Sequence, residues 1–161
     1  MTTMMEVPHG DINLQTGVTQ LPHNYMSFQI KRKGARPLRF EGTELGMAMS
    51  FTPSIPYWYE INIYRKTDQS YVLAIRRFHQ AEDLRDTVQA WEAASLEDII
   101  DLLLTYDAAV DVPLSFDSYR LNTHAAEVAA LGMQLWAEIE DSRHHFKSLV
   151  GEFLHDIEYE S

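Results

Sequence analysis

Apolar side chains recur at intervals of three, four or seven residues from Val128 to Ile157, and this stripe constrains the fold more than any other feature of the sequence. At about 100° per residue, these side chains fall within one arc of an α-helix. An unbroken helix over about 122–158, in which Gly132 and Gly151 allow a bend, would be roughly 50 Å long, which exceeds the width of a small domain. Part of the stripe therefore needs a partner, and we expect the chain to self-associate through this helix. The candidate contact residues are Leu135, Ile139, Phe146, Leu149 and Phe153.

A shorter helix is predicted over 95–107, ahead of the long one. Ser95 is suited to be its N-cap, and Asp98 stands where the acid of a capping box would stand. Residues 108–121 are expected to form a loop. The long helix should then begin at Asn122 or Thr123, either of which is a competent N-cap.

The chain ahead of these helices alternates apolar and polar residues, which is typical of half-buried strands. The pattern predicts an antiparallel sheet of four to five strands over about 27–93, with a turn at 33–37 and a hairpin over 57–79. In the second strand, over 38–51, the apolar phase changes from even to odd positions between Gly42 and Gly46, which predicts a bulge or a break there. The strands are expected over about 28–31, 38–51, 57–66, 71–79 and 87–93.

These elements predict an α+β fold: the sheet, then the short helix, then the long C-terminal helix. At 161 residues the chain fits a single domain. Residues 1–26 are poor in large apolar side chains, so we expect an irregular N-terminal arm there and one α+β domain over 27–161.

Several classes of protein are excluded or disfavoured by composition. The chain has no cysteine, which rules out disulfides, zinc–thiolate sites and cysteine nucleophiles. No secretory signal is recognised at the N-terminus, and no apolar run is long enough to span a bilayer, so we expect a cytoplasmic protein without a membrane partner. We expect no cofactor and no metal. A homodimer or another protein partner is the expected association.

The charge of the chain is unevenly distributed, although its net value is −11. Residues 27–85 carry ten Lys and Arg against six Asp and Glu, whereas residues 86–161 carry three against sixteen. Ten of the 18 aromatic residues lie between Phe28 and Trp91, among the cations. Exposed rings that stack bases and cations that track phosphates are typical of sheets that bind single-stranded nucleic acid. The candidate residues for this function are Lys31, Arg32, Arg39, Trp58, Tyr64, Lys66, Arg76 and Arg77.

Catalytic and metal-binding patterns are weak. Asp141 with His144, and Glu152 with His155, have the i,i+3 spacing of helical metal ligands, but three turns separate the two pairs and both face away from the apolar stripe. A solvated polar face is the simpler interpretation. His79 lies near the end of a predicted strand and is followed by acidic residues. This pattern is consistent with a catalytic histidine and equally with an ordinary strand end.

The sequence thus favours a small non-enzymatic interaction or regulatory module that self-associates through its C-terminal helix. Two alternatives remain open. One is a single-strand nucleic-acid binder that uses the basic, aromatic sheet. The other is an enzyme whose catalytic residues cannot be located from the sequence.

Overall fold

A computed structural model describes residues 24–114 and 124–160, and the side chains up to residue 157. Five strands form one antiparallel sheet in the order of the chain, each hydrogen-bonded to the next. The strands are β1 (Met26–Arg32), β2 (Ala35–Met49), β3 (Tyr57–Lys66), β4 (Tyr71–His79) and β5 (Thr87–Ala93). Two α-helices follow, α1 (Leu96–Thr105) and α2 (Ala125–Glu160), with a short 3-10 turn at Ala108–Asp111. The predicted α+β architecture is confirmed.

The turn between β1 and β2 is tighter than the sequence predicted. It consists of Lys33 and Gly34, and the positive φ of 71° at Gly34 suits glycine. Pro37 was expected in the turn but lies within β2. The pairing of β1 with β2 is irregular there, between the pairs Ile30–Leu38 and Arg32–Ala35. A proline is tolerated at such an irregularity because it has no N–H to give to the ladder.

The predicted bulge in β2 is confirmed. Its pairing with β3 shifts between Glu44 and Gly46, so that Leu45 is the extra residue. A Cβ added at Gly42 would lie 2.3 Å from the backbone oxygen of Arg65, so only glycine lets the two strands approach this closely. β1 pairs with the first half of β2, and β3 pairs with its second half. The sheet therefore changes direction at the bulge.

The two faces of the sheet carry two separate cores. The face that α1 and α2 cover contains Tyr59, Ile61 and Ile75, all at most 1% exposed. The opposite face curls on itself, and the backbone N–H of Lys33 at the end of β1 donates to the oxygen of Val88 in β5. The curled face encloses a second core, made of Ile30, Leu38, Phe40, Tyr64, Val72, Ala74 and Ala90.

Helix α1 begins as the sequence predicted and ends two residues early. The Ser95 side chain accepts from the N–H of Asp98, and the Asp98 carboxylate accepts from the N–H of Ser95, which completes a capping box. Ile99 and Leu103 are its buried residues and join the helix-covered core. The segment after α1 was expected to loop, but Ala108–Asp111 forms a 3-10 turn capped by the Asp107 side chain.

Helix α2 is continuous through Gly132 and Gly151. Its 36 residues span about 54 Å at 1.5 Å per residue. The predicted N-caps, Asn122 and Thr123, lie outside the described residues, as does the predicted N-terminal arm up to residue 23. Neither described helix is both long enough and apolar enough to cross a membrane.

Candidate functional site: the projecting half of the C-terminal helix

Helix α2 is buried along only part of its length. From Ser142 to Ile157 it lies against the sheet, and Phe146, Leu149, Val150 and Phe153 are buried in the helix-covered core. We call residues 142–157 the docked half. From Ala125 to Asp141 no residue is buried, and we call this stretch of roughly 25 Å the projecting half.

The projecting half carries exposed apolar side chains in line with those of the docked half. Val128 is 47% exposed and Leu131 41% exposed, while Leu135 and Ile139 are half-buried. At about 100° per residue these four lie within about 40° of one line along the helix, and the same line passes through the docked half. Trp136, 63% exposed, stands on the flank of this stripe. The apolar face thus continues beyond the surface that covers it.

A cluster of polar contacts fixes α2 where the two halves meet. The Arg143 guanidinium donates to both carboxylate oxygens of Asp107 at 2.8 Å, and to Glu140 at 2.8 Å. These bonds hold the pKa of Asp107 down at about 2. On the other side of the helix, Tyr57 donates to Asp141 at 2.6 Å. Burial, assisted by this hydrogen bond, raises the pKa of Tyr57 to about 12.

Arg77 lies beneath this junction and is completely buried. Its guanidinium donates to the backbone oxygen of Asp111 at 2.8 Å and to the Ser142 hydroxyl at 3.2 Å, and it lies 4.2 Å from the centre of the Tyr57 ring. Arg77 forms an ion pair with Glu138, in which Nη2 lies 3.8 Å from Oε1. Arg77 therefore ties the sheet to α2 at the start of the docked half.

A second buried polar group, the Asp111 carboxylate, lies beside Arg77 under the helices. Three hydroxyls donate to it, from Tyr59 at 3.3 Å, Thr87 at 3.1 Å and Tyr106. Burial and the neighbouring carboxylate raise the pKa values of Tyr59 and Tyr106. This cluster was not predicted from the sequence. The signal for Arg77 was present, because it continues the alternation of the buried residues Leu73 and Ile75 along β4.

The predicted self-association residues divide between the two halves. Leu135 and Ile139 lie in the projecting half and are partly accessible. Phe146, Leu149 and Phe153 lie in the docked half, where each is at most 5% exposed because the chain's own sheet covers it. These three side chains are therefore not available to a partner.

The predicted aromatic platforms for bases are less exposed than the sequence suggested. Tyr64 is 4% exposed, and the expectation that it is accessible is wrong because the sheet curls over it. Trp58 is half-buried, with its ring stacked 5.4 Å from Phe78 and edge-on to Phe51 at 5.2 Å.

The predicted cations are also in different environments. Arg77 is buried, as described above. Arg76 pairs with Glu60 at 2.9 Å, and Lys66 pairs with Glu92 at 2.7 Å. Lys31 and Arg39 are exposed, and Arg32 is half-buried with its Nε bound to the oxygen of Arg36. The structure therefore does not gather the eight predicted residues into one exposed basic and aromatic face.

The histidines do not form a metal site in the described part of the chain, where no group of three His, Asp or Glu side chains is placed to hold an ion. The Oδ1 atom of Asp141 lies 3.4 Å from the Nε2 atom of His145. The backbone N–H of His79 donates to Asp86, and burial lowers the pKa of the His79 imidazole.

Comparisons with known proteins found no matching protein family, no matching curated protein and no matching solved structure.

Proposed function

We propose that this chain is a small interaction module that self-associates through the projecting half of α2. The observation that carries the proposal is that the apolar stripe continues from Ile139 back to Val128, ahead of the first residue of α2 that is buried, and that it is exposed at Leu131 and Val128. In the docked half, the same stripe contains the α2 residues that are buried in the helix-covered core. A second copy would give the projecting half the cover that the sheet gives to the docked half.

The position of the sheet selects an antiparallel arrangement of the two helices. The sheet covers the stripe from Ser142 onward, so in a parallel pair each helix would have to enter the volume of its partner's sheet. Antiparallel pairing places the two sheets at opposite ends. The two projecting halves, each roughly 25 Å long, then cover one another's stripes about a twofold axis near Met133. Such an axis sets Leu131 opposite Leu135 of the second copy.

Charge gives this association a characteristic salt dependence. The projecting half contains Glu127, Glu138, Glu140 and Asp141, and neither Lys nor Arg. Two such helices repel one another, and added salt screens repulsion between exposed charges more than it affects apolar contact. The dimer should therefore become tighter as the salt concentration rises, whereas binding to nucleic acid becomes weaker.

The test is sedimentation equilibrium of the full chain over a range of concentrations, with the wild type compared with Leu131→Asp. Burial of the exposed 41% of Leu131 in both copies contributes about 1–2.5 kcal/mol per dimer. We therefore expect Leu131→Asp to raise the dimer Kd by about tenfold or more. Circular dichroism should show that the variant remains folded, because Leu131 lies outside the core.

The matched control is Met133→Asp, which adds the same charge two residues away. Met133 is 74% exposed and lies about 160° around the helix from Leu135, so its substitution should leave the Kd within about twofold. A wild type that stays monomeric at about 0.5 mM would refute the proposal, since the free energy of association would then be weaker than about 4.5 kcal/mol. An equal effect of the two substitutions would refute the predicted contact face.

A further inference from the structure

A cleft of about 790 Å³ lies on the side of the domain where β1 approaches β5. It is bounded by the end of β1, by the loop from β4 to β5, and by the 3-10 turn and the residues that follow it. The backbone hydrogen bond from Lys33 to Val88 fixes the two sheet edges at its base. A cleft of this size can accept a small organic molecule.

The cleft is basic although the chain as a whole is acidic. Four cations line it: Lys31, Arg32, Lys33 and Arg85. Within residues 24–114 and 124–157, none of the four has a carboxylate oxygen within 4 Å, in contrast to Lys66, Arg76 and Arg143. Placing like charges together without counter-charges is unfavourable, so this cluster is a candidate for an anionic ligand.

The two carboxylates in the lining are engaged elsewhere. Asp111 is 3% exposed and accepts from three hydroxyls, so it faces the core rather than the cleft. Asp86 accepts from the backbone N–H of His79. Neither of them approaches a cleft cation closely enough to form an ion pair. The surplus of positive charge in the cleft therefore remains available.

Most of the other lining residues of the cleft are apolar, among them Leu84, Val88, Val110 and Leu114. Val110 and Leu114 are 55% and 66% exposed. A cleft that is lined by several cations and by apolar side chains suits a multiply charged anion that carries an organic group. Lysine and arginine are the usual protein donors to phosphate, which offers more acceptor oxygens and more charge than a single carboxylate.

We propose that this cleft binds the phosphate group of an organic phosphate ester, with Lys31, Lys33 and Arg85 as donors and with Val110 and Leu114 against the organic group. The lining of the cleft includes no residue of α2, and the proposal does not depend on self-association. The phosphate could belong to a small metabolite or to a nucleic-acid strand, and the experiment below separates the two sources.

The test is a titration of the ¹⁵N-labelled full chain, followed by NMR at low salt, with three probes: phenyl phosphate, inorganic pyrophosphate and a short single-stranded oligonucleotide. We expect saturable shifts of the amides at 31–33, 85–88, 110–112 and 114 with phenyl phosphate. Tighter binding of the oligonucleotide than of phenyl phosphate would identify a nucleic-acid strand as the source. Comparable or weaker binding of the oligonucleotide would identify a small phosphate ester.

The variant is Lys31→Gln combined with Arg85→Gln, and its matched control is Arg65→Gln, since Arg65 is an exposed cation outside the cleft. Because charge-assisted hydrogen bonds to phosphate are strong, the double variant should weaken binding by about tenfold or more, and the control by less than about twofold. The proposal is overturned if no probe binds saturably at millimolar concentration. It is equally overturned if Arg65→Gln weakens binding as much as the double variant does.

Discussion

Phe146 offers the sharpest test of how α2 is divided, because it is the first large apolar side chain of the docked half. It is 1% exposed, and its ring lies 5.2 Å from that of Tyr59 and 5.0 Å from that of Tyr106. Phe146→Ala would remove both ring contacts and leave a cavity under the helix. Substitutions of this kind cost about 3–5 kcal/mol in the free energy of unfolding.

The assay is urea denaturation followed by circular dichroism, at a protein concentration low enough to keep the chain monomeric. In thermal denaturation of a chain of this length, the same loss of 3–5 kcal/mol corresponds to a fall in Tm of about 6–20 °C. Phe146→Leu, which keeps most of the volume but loses the two ring contacts, should cost roughly 1–3 kcal/mol.

The control on the same helix is Met133→Ala, which removes a 74%-exposed side chain from the projecting half. It should change the unfolding free energy by less than about 0.5 kcal/mol. If Met133→Ala proved as destabilising as Phe146→Ala, the projecting half would have to be packed within the monomer. The division of α2 into two halves would then be wrong.

Three further predictions concern local contacts. Ser95→Ala removes the capping box of α1 and should lower the unfolding free energy by about 1 kcal/mol, whereas Ser95→Asp, another good N-cap, should retain most of it. The folded-state pKa of Tyr57 is about 12, above its ordinary value of 10.0, so its contribution to stability is complete below pH 10 and is lost as the pH rises towards 12. Tyr57→Phe should therefore flatten the alkaline limb of the stability curve, and an unchanged limb would contradict the assignment. The pKa of Asp107 is about 2, so its contribution is present above pH 3.8 and is lost as the pH falls through 2. Carboxyl NMR titration should find that low pKa, and Arg143→Gln should raise it towards the ordinary value.

Local patterns in the sequence predicted most of the secondary structure. The capping box at Ser95, the alternation along β3 and β4, and the phase change in β2 all involve residues close together in the chain. Propensity and periodicity act over such distances, so one sequence is enough to recognise them. The turn at 33–37 was misjudged because Pro37 was interpreted as a turn residue, whereas an irregularity in the pairing of β2 with the preceding strand β1 accommodates it.

The second core could not be predicted because it depends on contacts between the ends of the sheet. Alternation along β3 places Tyr64 and Ile63 on opposite faces, and a flat sheet with helices on one side would leave Tyr64 in water. Here β1 curves towards β5, so Tyr64 packs against Phe40 and Phe28 and becomes buried. Whether a sheet curls this far is determined by contacts between residues distant in sequence, and alternation within one strand does not report on them.

Periodicity also predicted the apolar stripe of α2 without indicating how much of it the domain covers. Phe146 and Leu131 are equivalent in the helical pattern, but one is buried by the sheet and the other is exposed. The candidate residues for self-association were therefore chosen from both halves, and only Leu135 and Ile139 lie in the accessible one. The length of the sheet along the helix decides this, and that length is a tertiary property.

The uneven charge of the chain underlies both proposals, and it predicts opposite salt dependences for the two binding events. Of the ten cations in residues 27–85, only Lys66 and Arg77 pair with carboxylates from the acidic rear of the chain, among the described residues. The domain therefore presents a basic cleft at one place and an acidic projecting helix at another. Added salt should weaken phosphate binding in the cleft and strengthen pairing of the helices, since it screens attraction in the first case and repulsion in the second. If both events responded to salt in the same direction, at least one of the two surfaces would have been assigned the wrong partner.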